Sequence, residues 1–436
     1  GDHRDLHKEY RRQRQMCIRD RSEGVQFNNA FTNVAVCGAS RASIMTGIRP
    51  SEDRFNDFST RASVDAPNAI PLNQVFMENG YETISYGKIY HHSDDFARHW
   101  SEKDGGADQA DFQDPESIRL RDNAETGEYG KKNPIVEYPD VDDYVYNDGK
   151  ITLKAIEKFK EFSNNGKPFF MAVGYVSPHL PFIQPKKYWD MYDHDKIKLA
   201  GNTYQPLNSP DIAIEAQHNS AELRKNYLGI PAEGLLDDEL SKDLIHGYYA
   251  SISYIDNLIG KLIQELESLD LDKNTMVILW GDHGWHLGND RKWGKHTLFE
   301  RSLKSALIIK LPGKQNKNKK INSIVETVDI YPTVMEFCSI TPPYKLDGES
   351  LMKQMNSVQT NKKSIAYSYW KDGVSMRTER YRFTKFFREE EPKIELYDHL
   401  IDSEENKNIA LENKKLIDSL MPTLAKSIPK FYEVAY

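Results

Sequence analysis

The chain has 436 residues, enough for two or three domains at roughly 150 residues each. Its 58 Lys and Arg against 66 Asp and Glu leave a formal charge of -8, so no global positive field recruits nucleic acid, and any anionic ligand must be held by local groups. With 39% hydrophobic and 28% charged residues the composition excludes a disordered or low-complexity chain.

Three cysteines, Cys17, Cys37 and Cys338, make neither a disulfide framework nor a CxxC zinc site. No apolar run approaches the roughly 20 residues of a membrane span, and none is expected. Residues 1–22 are basic and without apolar periodicity; the run Gln15 to Arg21 resembles translated sequencing adapter, so this segment is expected to be non-native, the alternative being a genuine basic arm. No signal peptide is legible in it.

From residue 23 short β-type runs alternate with helical patterns, the signature of a mostly parallel sheet covered by helices. Ser40 to Thr46 reads as a short helix ended by Gly47, with Cys37 at or just before its start. Pro71 to Asn79 reads as a helix stopped by Gly80, followed by a strand over Tyr81 to Tyr86. The polar stretch 101–148 reads as an insertion over the sheet. A helix around Lys150 to Phe162 leads through Gly166 to the apolar strand Phe169 to Val176. After a second polar insertion, 200–240, Tyr248, Ile252, Ile255, Ile259, Leu262 and Leu266 recur at helical spacing ahead of the strand Met276 to Trp280. Past about Pro343, Ser364–Trp370, Val374–Lys385 and Lys393–Tyr397 read as antiparallel strands and Asn413–Ala425 as a closing helix. The expected organisation is therefore a doubtful segment 1–22, an α/β domain over 23–343 and a smaller α+β domain over 344–436.

The residues that carry chemistry follow the strand ends. Cys37 at a helix start meets free N–H groups that favour an anion, and Arg41 lies one turn in on the same side. Lys88 with His91 follows one strand, and His179, held between Pro178 and Pro181, follows another. Asp282 and His283 follow the third, where open α/β sheets place their ligands. Asp282 suits a hard divalent cation, whereas His283 alone suits zinc or a structural cap. Lys295 lies in a Gly/Trp/Lys loop that reads equally well as surface. Taken together these groups make a clamp for a tetrahedral anion.

The pattern Cys37-x-Ala39-x-Arg41, with Thr46, Gly47, Arg49 and Pro50 behind it, resembles the signature of the type I sulfatases. Four further segments agree in order: Gly87-Lys88 with His91, Pro178-His179-Leu180-Pro181-Phe182, Gly281-Asp282-His283-Gly284-Trp285, and Trp293-Gly294-Lys295. The ending Leu396-Tyr397-Asp398 with Asn406 is similar as well, and the Pro-His-x-Pro-Phe segment resembles the iduronate-2-sulfatase-like subgroup.

This resemblance implies the alkaline-phosphatase-like α/β fold and hydrolysis of sulfate esters on sulfated sugars or polysaccharides. It implies oxidation of Cys37 to formylglycine by a formylglycine-generating or radical maturase, and Ca2+ or another divalent cation held by Cys37, Asp282 and His283. Arg41, Lys88 and Lys295 would spread charge on the sulfonate oxygens, His179 or Lys295 would protonate the leaving oxygen, and His91 would act as base. Lys88, His179, Lys295 and Trp285 would contact substrate; Trp293, Tyr90 and Trp100 are further candidates for stacking on a sugar. The location implied is periplasmic or secreted.

Two departures stand out. Ala39 replaces the family's usual Pro, and no match to the family's first-strand Asp-Asp pair precedes Ser22, so the chain is expected to be N-terminally truncated, to bind metal weakly or not at all and to show little activity. The other readings are a phosphodiesterase or phosphonate monoester hydrolase of the same superfamily, and a non-catalytic glycan-binding protein.

Overall fold

The computed structural model describes residues 24–427 apart from 107–110, 216–219, 315–317, 357–364, 371–372 and 388–391. The segment 1–22 and its Cys17 lie outside the described residues. β1 (Val25–Phe31) is followed by α1 (Cys37–Thr46), and α2 (Leu72–Glu78) by β2 (Glu82–Gly87) and β3 (Glu102–Asp104). α3 (Asn147–Asn165) ends at Gly166, φ 67°, which turns the chain into β4 (Phe169–Gly174). The short α4 (Ala221–Asn226) precedes α5 (Asp238–Ser268), whose 31 residues span about 46 Å, and β5 (Val277–Trp280) follows. β6 (Lys304–Ser305), β7 (Leu307–Lys310), β8 (Lys319–Glu326) and α6 (Ile330–Phe337) complete the main body. β9 (Ala366–Trp370), β10 (Gly373–Arg377), β11 (Tyr381–Phe386), β12 (Lys393–Asp398) and α7 (Lys414–Ala425) make the C-terminal part.

The sheet β3-β2-β4 is parallel throughout, from Glu82 opposite Phe169 to Gly87 opposite Gly174. The larger sheet runs β6-β1-β7-β5, with β8 parallel to β1. It is mixed: β7 is antiparallel to both β1 and β5. No long crossover helix separates β5 from β7, so the chain returns along the sheet in the opposite sense. The C-terminal sheet β9-β10-β11-β12 is antiparallel, as expected. Val374–Lys385 is a hairpin rather than one strand, closed by the Tyr381 N–H donating to Thr378 Oγ1 at 2.9 Å. A turn built on Thr-Glu-Arg carries no Gly or Pro to announce it in the sequence.

The helical spacing in α5 is core packing: Ile252, Ile255, Ile259, Leu262 and Leu266 are buried, and the last four, with Ala155, Phe159 and Phe162 of α3, cover the β2–β4 sheet. Each such side chain contributes about 1.5–3 kcal/mol through burial. The C-terminal sheet is fastened to the main body by the Tyr369 N–H on Asn33 O at 2.8 Å and by Arg377 Nε on Glu300 Oε2 at 2.6 Å. Among the described residues β4 pairs only with β2, and β5 only with β7. The other edges of β4 and β5 border a cavity of about 890 Å3, lined by apolar side chains of both strands and reaching Cys37, Lys88 and Asp282 at one end.

Candidate active site

α1 places Cys37 at its first position, and Arg41 four residues on, over the same side. Gly38 is required here, because a Cβ on it would lie 2.4 Å from the Phe58 carbonyl oxygen. β2 and β4 end side by side on Gly87 and Gly174; a Cβ at Gly174 would fall 2.0 Å from the Lys88 carbonyl oxygen. That close approach brings Lys88, 2% exposed, under the N-terminus of α1. Asp282 and His283 follow β5, and the Ser40 hydroxyl donates to Asp282 O at 2.6 Å, tying this loop to α1.

At the centre His283 Nε2 lies 3.1 Å from Cys37 Sγ, while its Nδ1 faces Gly284 O at 2.8 Å. Arg41 Nε donates to Asp282 Oδ2 at 3.0 Å, and Arg41 Nη1 donates to the carbonyls of Lys88 and Ile89. Arg41 is thus a strut joining three strand-end segments as well as a local positive charge. Lys295, 4% exposed, sits 2.9 Å from His179 Nε2, whose Nδ1 faces Leu180 O at 2.7 Å.

The charges reinforce one another. Burial pushes the Cys37 thiol up, but Lys295, Lys88 and His283 outweigh it and hold the thiol well below its ordinary value. Burial lowers Lys88. Lys295 is raised, because Cys37 and Glu222 outweigh its burial. Burial and the Lys88 charge push His91 down to about 4, so its ring is neutral at pH 7. Among the described residues no hydrogen bond joins His91 to Cys37, Asp282 or His283, and its ring lies 6.3 Å from that of Phe58. His92 instead faces Ser59 O at 3.2 Å.

The family model described as Sulfatase matches residues 7–340. The chain belongs to the sulfatase family. A second model, N-sulphoglucosamine sulphohydrolase, C-terminal, matches residues 281–431. Iduronate 2-sulfatase of Mus musculus is 31% identical over 306 residues, covering 67% of this chain and 54% of its own length. The human iduronate 2-sulfatase matches at 31% over 303 residues with the same coverage, so the chain spans about half the length of these curated relatives. A sulfatase of Formosa agariphila is 28% identical over 423 residues, 93% of this chain and 80% of that protein. The phosphonate monoester hydrolase of Silicibacter pomeroyi superposes with a TM-score of 0.75 at 18% identity, over 94% of this chain and 88% of that one. An enzyme solved with its substrate D-glucosamine-2-N,6-O-disulfate superposes with a TM-score of 0.73 at 20% identity, over 95% and 92%. At these identities the two structures share the fold.

In this sulfatase-family chain one residue escaped the sequence reading. Glu222 of α4 reaches into the site, its carboxylate 3.1 Å from Lys295 Nζ and 3.3 Å from His179 Nε2. Burial pushes its carboxyl up, but Lys295 and His179 outweigh this and hold it well below the usual range. It lay in a polar insertion with no motif around it. Trp285, expected to contact substrate, is 9% exposed and packs with Leu180, Phe182 and Leu287. Lys295 Nζ lies 5.0 Å over its ring, so Trp285 supports the lysine from behind. Tyr90 and Trp100 are buried as well.

The metal donors expected from the sequence do converge: Cys37, Asp282 and His283 offer ligand atoms within 4.8 Å of one another. They do not fit a calcium ion by themselves. Calcium takes six to eight oxygens, and here one carboxylate, already paired with Arg41, stands with an imidazole and a sulfur.

Proposed function

We propose that the chain is the catalytic part of a sulfuric ester hydrolase acting on sulfated sugars. The observation that carries this reading is the convergence of Lys88, His283 and Lys295 on one buried side chain, Cys37, at a helix N-terminus, with Arg41 one turn on and paired to Asp282. Supporting the sugar are relatives named iduronate 2-sulfatase and ulvan-active sulfatase. Position 37 suits formylglycine, since a small residue there sits among cations; when oxidised, its hydrated aldehyde supplies an oxygen nucleophile.

The chain's own residues then divide the work. Lys88 and Lys295 draw the sulfonate oxygens toward position 37 and offset the charge that grows on them. His179 turns Nδ1–H to Leu180 O, so Nε2 is the nitrogen that faces the site; the leaving oxygen takes its proton from the Lys295 ammonium 2.9 Å away from it, or from Nε2 when the ring carries both protons. His91, neutral at pH 7, is able to accept a proton. His283 and Arg41 hold Cys37 and Asp282 in register.

A divalent cation at Cys37, Asp282 and His283 belongs to the same reading, and it would take further oxygen ligands beside Asp282. Export to the periplasm or exterior and a dedicated maturase for Cys37 belong to the same reading; among the described residues no helix is long and apolar enough to cross a membrane.

The test is turnover of 4-nitrophenyl sulfate against a phosphodiester by the natively produced protein, with mass spectrometry of the Cys37 peptide. Sulfate turnover that disappears in Cys37→Ala is expected. Preferential phosphodiester turnover would favour the phosphonate-hydrolase alternative, and unmodified Cys37 with persistent glycan affinity would favour a binding protein.

A further inference from the structure

The cation cluster accounts for a sulfate group and offers nothing to the ring that carries it. The rim of the site does. Phe58 and Tyr129 are 46% and 63% exposed, yet their rings meet edge to face, with centroids 5.9 Å apart and planes at 70°. Neither ring belongs to any of the hydrophobic core clusters. Two large rings held together in water without a packing role call for an explanation.

Each ring is anchored to a different wall of the site. The Phe58 carbonyl presses on Gly38, next to Cys37, and its ring stands edge-on to His91. Tyr129 sits at the tip of the hairpin of Thr126–Gly127 and Gly130–Lys131. The backbone N–H groups of Glu128 and Tyr129 both donate to Asn226 Oδ1, at 3.0 and 3.1 Å, and Asn226 ends the helix that carries Glu222. Burial and the charges of Glu128 and Glu222 raise the Tyr129 phenol while Lys295 lowers it, so the ring lies within the field of the clamp. The two polar insertions thus deliver one aromatic and one carboxylate to the same opening.

We propose that Phe58 and Tyr129 form the sugar-facing subsite, packing against the apolar C–H face of a pyranose ring whose sulfate enters between Lys88 and Lys295. This rests on the sulfate-ester reading above. Aromatic rings suit such a ligand: their faces cover C–H groups at little conformational cost, and the Tyr129 hydroxyl remains free to meet a sugar hydroxyl. Tyr90 and Trp100 are buried, and Lys295 Nζ stands over the ring of Trp285.

Calorimetry with the full chain tests it, using glucose 6-sulfate and methyl sulfate, which share the monoester charge and differ in the ring. The wild type is expected to bind glucose 6-sulfate about tenfold tighter than methyl sulfate. Phe58→Ala and Tyr129→Ala should each remove most of that ratio and leave methyl sulfate within about twofold, and Tyr129→Phe should retain it. Both side chains are exposed, so the substitutions leave the core intact. An unchanged ratio, or equal weakening of both ligands, overturns the subsite. Binding of methyl sulfate without preference for the sugar overturns the subsite alone; binding of neither overturns the sulfate-ester reading, and the subsite with it.

Discussion

Removing the Arg41 guanidinium should unfold the site from its centre. The Arg41–Asp282 pair is 3.0 Å long with side chains 11% and 17% exposed. At an effective dielectric of about 20 the gross attraction is roughly 5–6 kcal/mol. Breaking a buried pair from one side costs about 3–5 kcal/mol, since the stranded charge keeps its desolvation penalty. The carbonyls of Lys88 and Ile89 lose their donor too, at about 1 kcal/mol each. Arg41→Ala should therefore lose about 5–7 kcal/mol, a large fraction of a typical stability of about 5–15 kcal/mol. Asp282→Asn in that background should restore about 2 kcal/mol or more, because the stranded charge is gone. Urea unfolding of the wild type, both single variants and the double variant, followed by circular dichroism at pH 7.5, reads the coupling. If the single effects add to the double within about 0.5 kcal/mol, the pair is not coupled and the strut argument is wrong. The pH dependence has a definite sign. Burial raises the Asp282 carboxyl but His283, Arg41 and Lys88 hold it well below the usual range, so its contribution is complete above about pH 3.9 and is lost as pH falls below that.

Gly174→Ala should force the ends of β2 and β4 apart, since its Cβ would lie 2.0 Å from the Lys88 carbonyl oxygen; we expect a loss of about 1–3 kcal/mol in urea unfolding and weaker binding of methyl sulfate by calorimetry. His296, stacked on Trp370 with centroids 5.2 Å apart, is held down to about 3 by burial and by Lys295. Its folded value lies below the unfolded value of about 6.5, so its stabilisation is complete above pH 6.5 and is lost as pH falls toward 3. Between pH 6.5 and 4.5 the wild type should lose about 2 kcal/mol that a His296→Gln variant does not, as read from thermal melts across that range.

Much of the fold was legible because its signals are local. The spacing of Ile252, Ile255, Ile259, Leu262 and Leu266 marks one face of a helix whatever lies against it, and all five are buried. The alternation of strands and helices indicated the α/β body and the antiparallel C-terminal sheet. The motifs after the strand ends mark Cys37, Arg41, Lys88, Asp282 and His283, since each stands near a glycine or strand end that its own neighbours reveal.

Strand direction in the larger sheet, the hairpin within Val374–Lys385 and the partners of each site residue were decided only in three dimensions. Residue type told that Arg41 is a cation but not that three of its hydrogen bonds go to Asp282 and two carbonyls. An aromatic beside a motif read as a sugar contact in Trp285, yet packing turns that ring inward beneath Lys295 and leaves Phe58 and Tyr129 at the opening. Glu222 stands 73 residues from Lys295 in the chain and meets it only because the polar insertion folds back over the site. Sequence by itself determined which chemical groups this sulfatase-family chain possesses and on which local elements they ride. Tertiary structure decided which of them face one another, because burial and charge pairing depend on contacts between segments whose spacing along the chain carries no trace of their meeting.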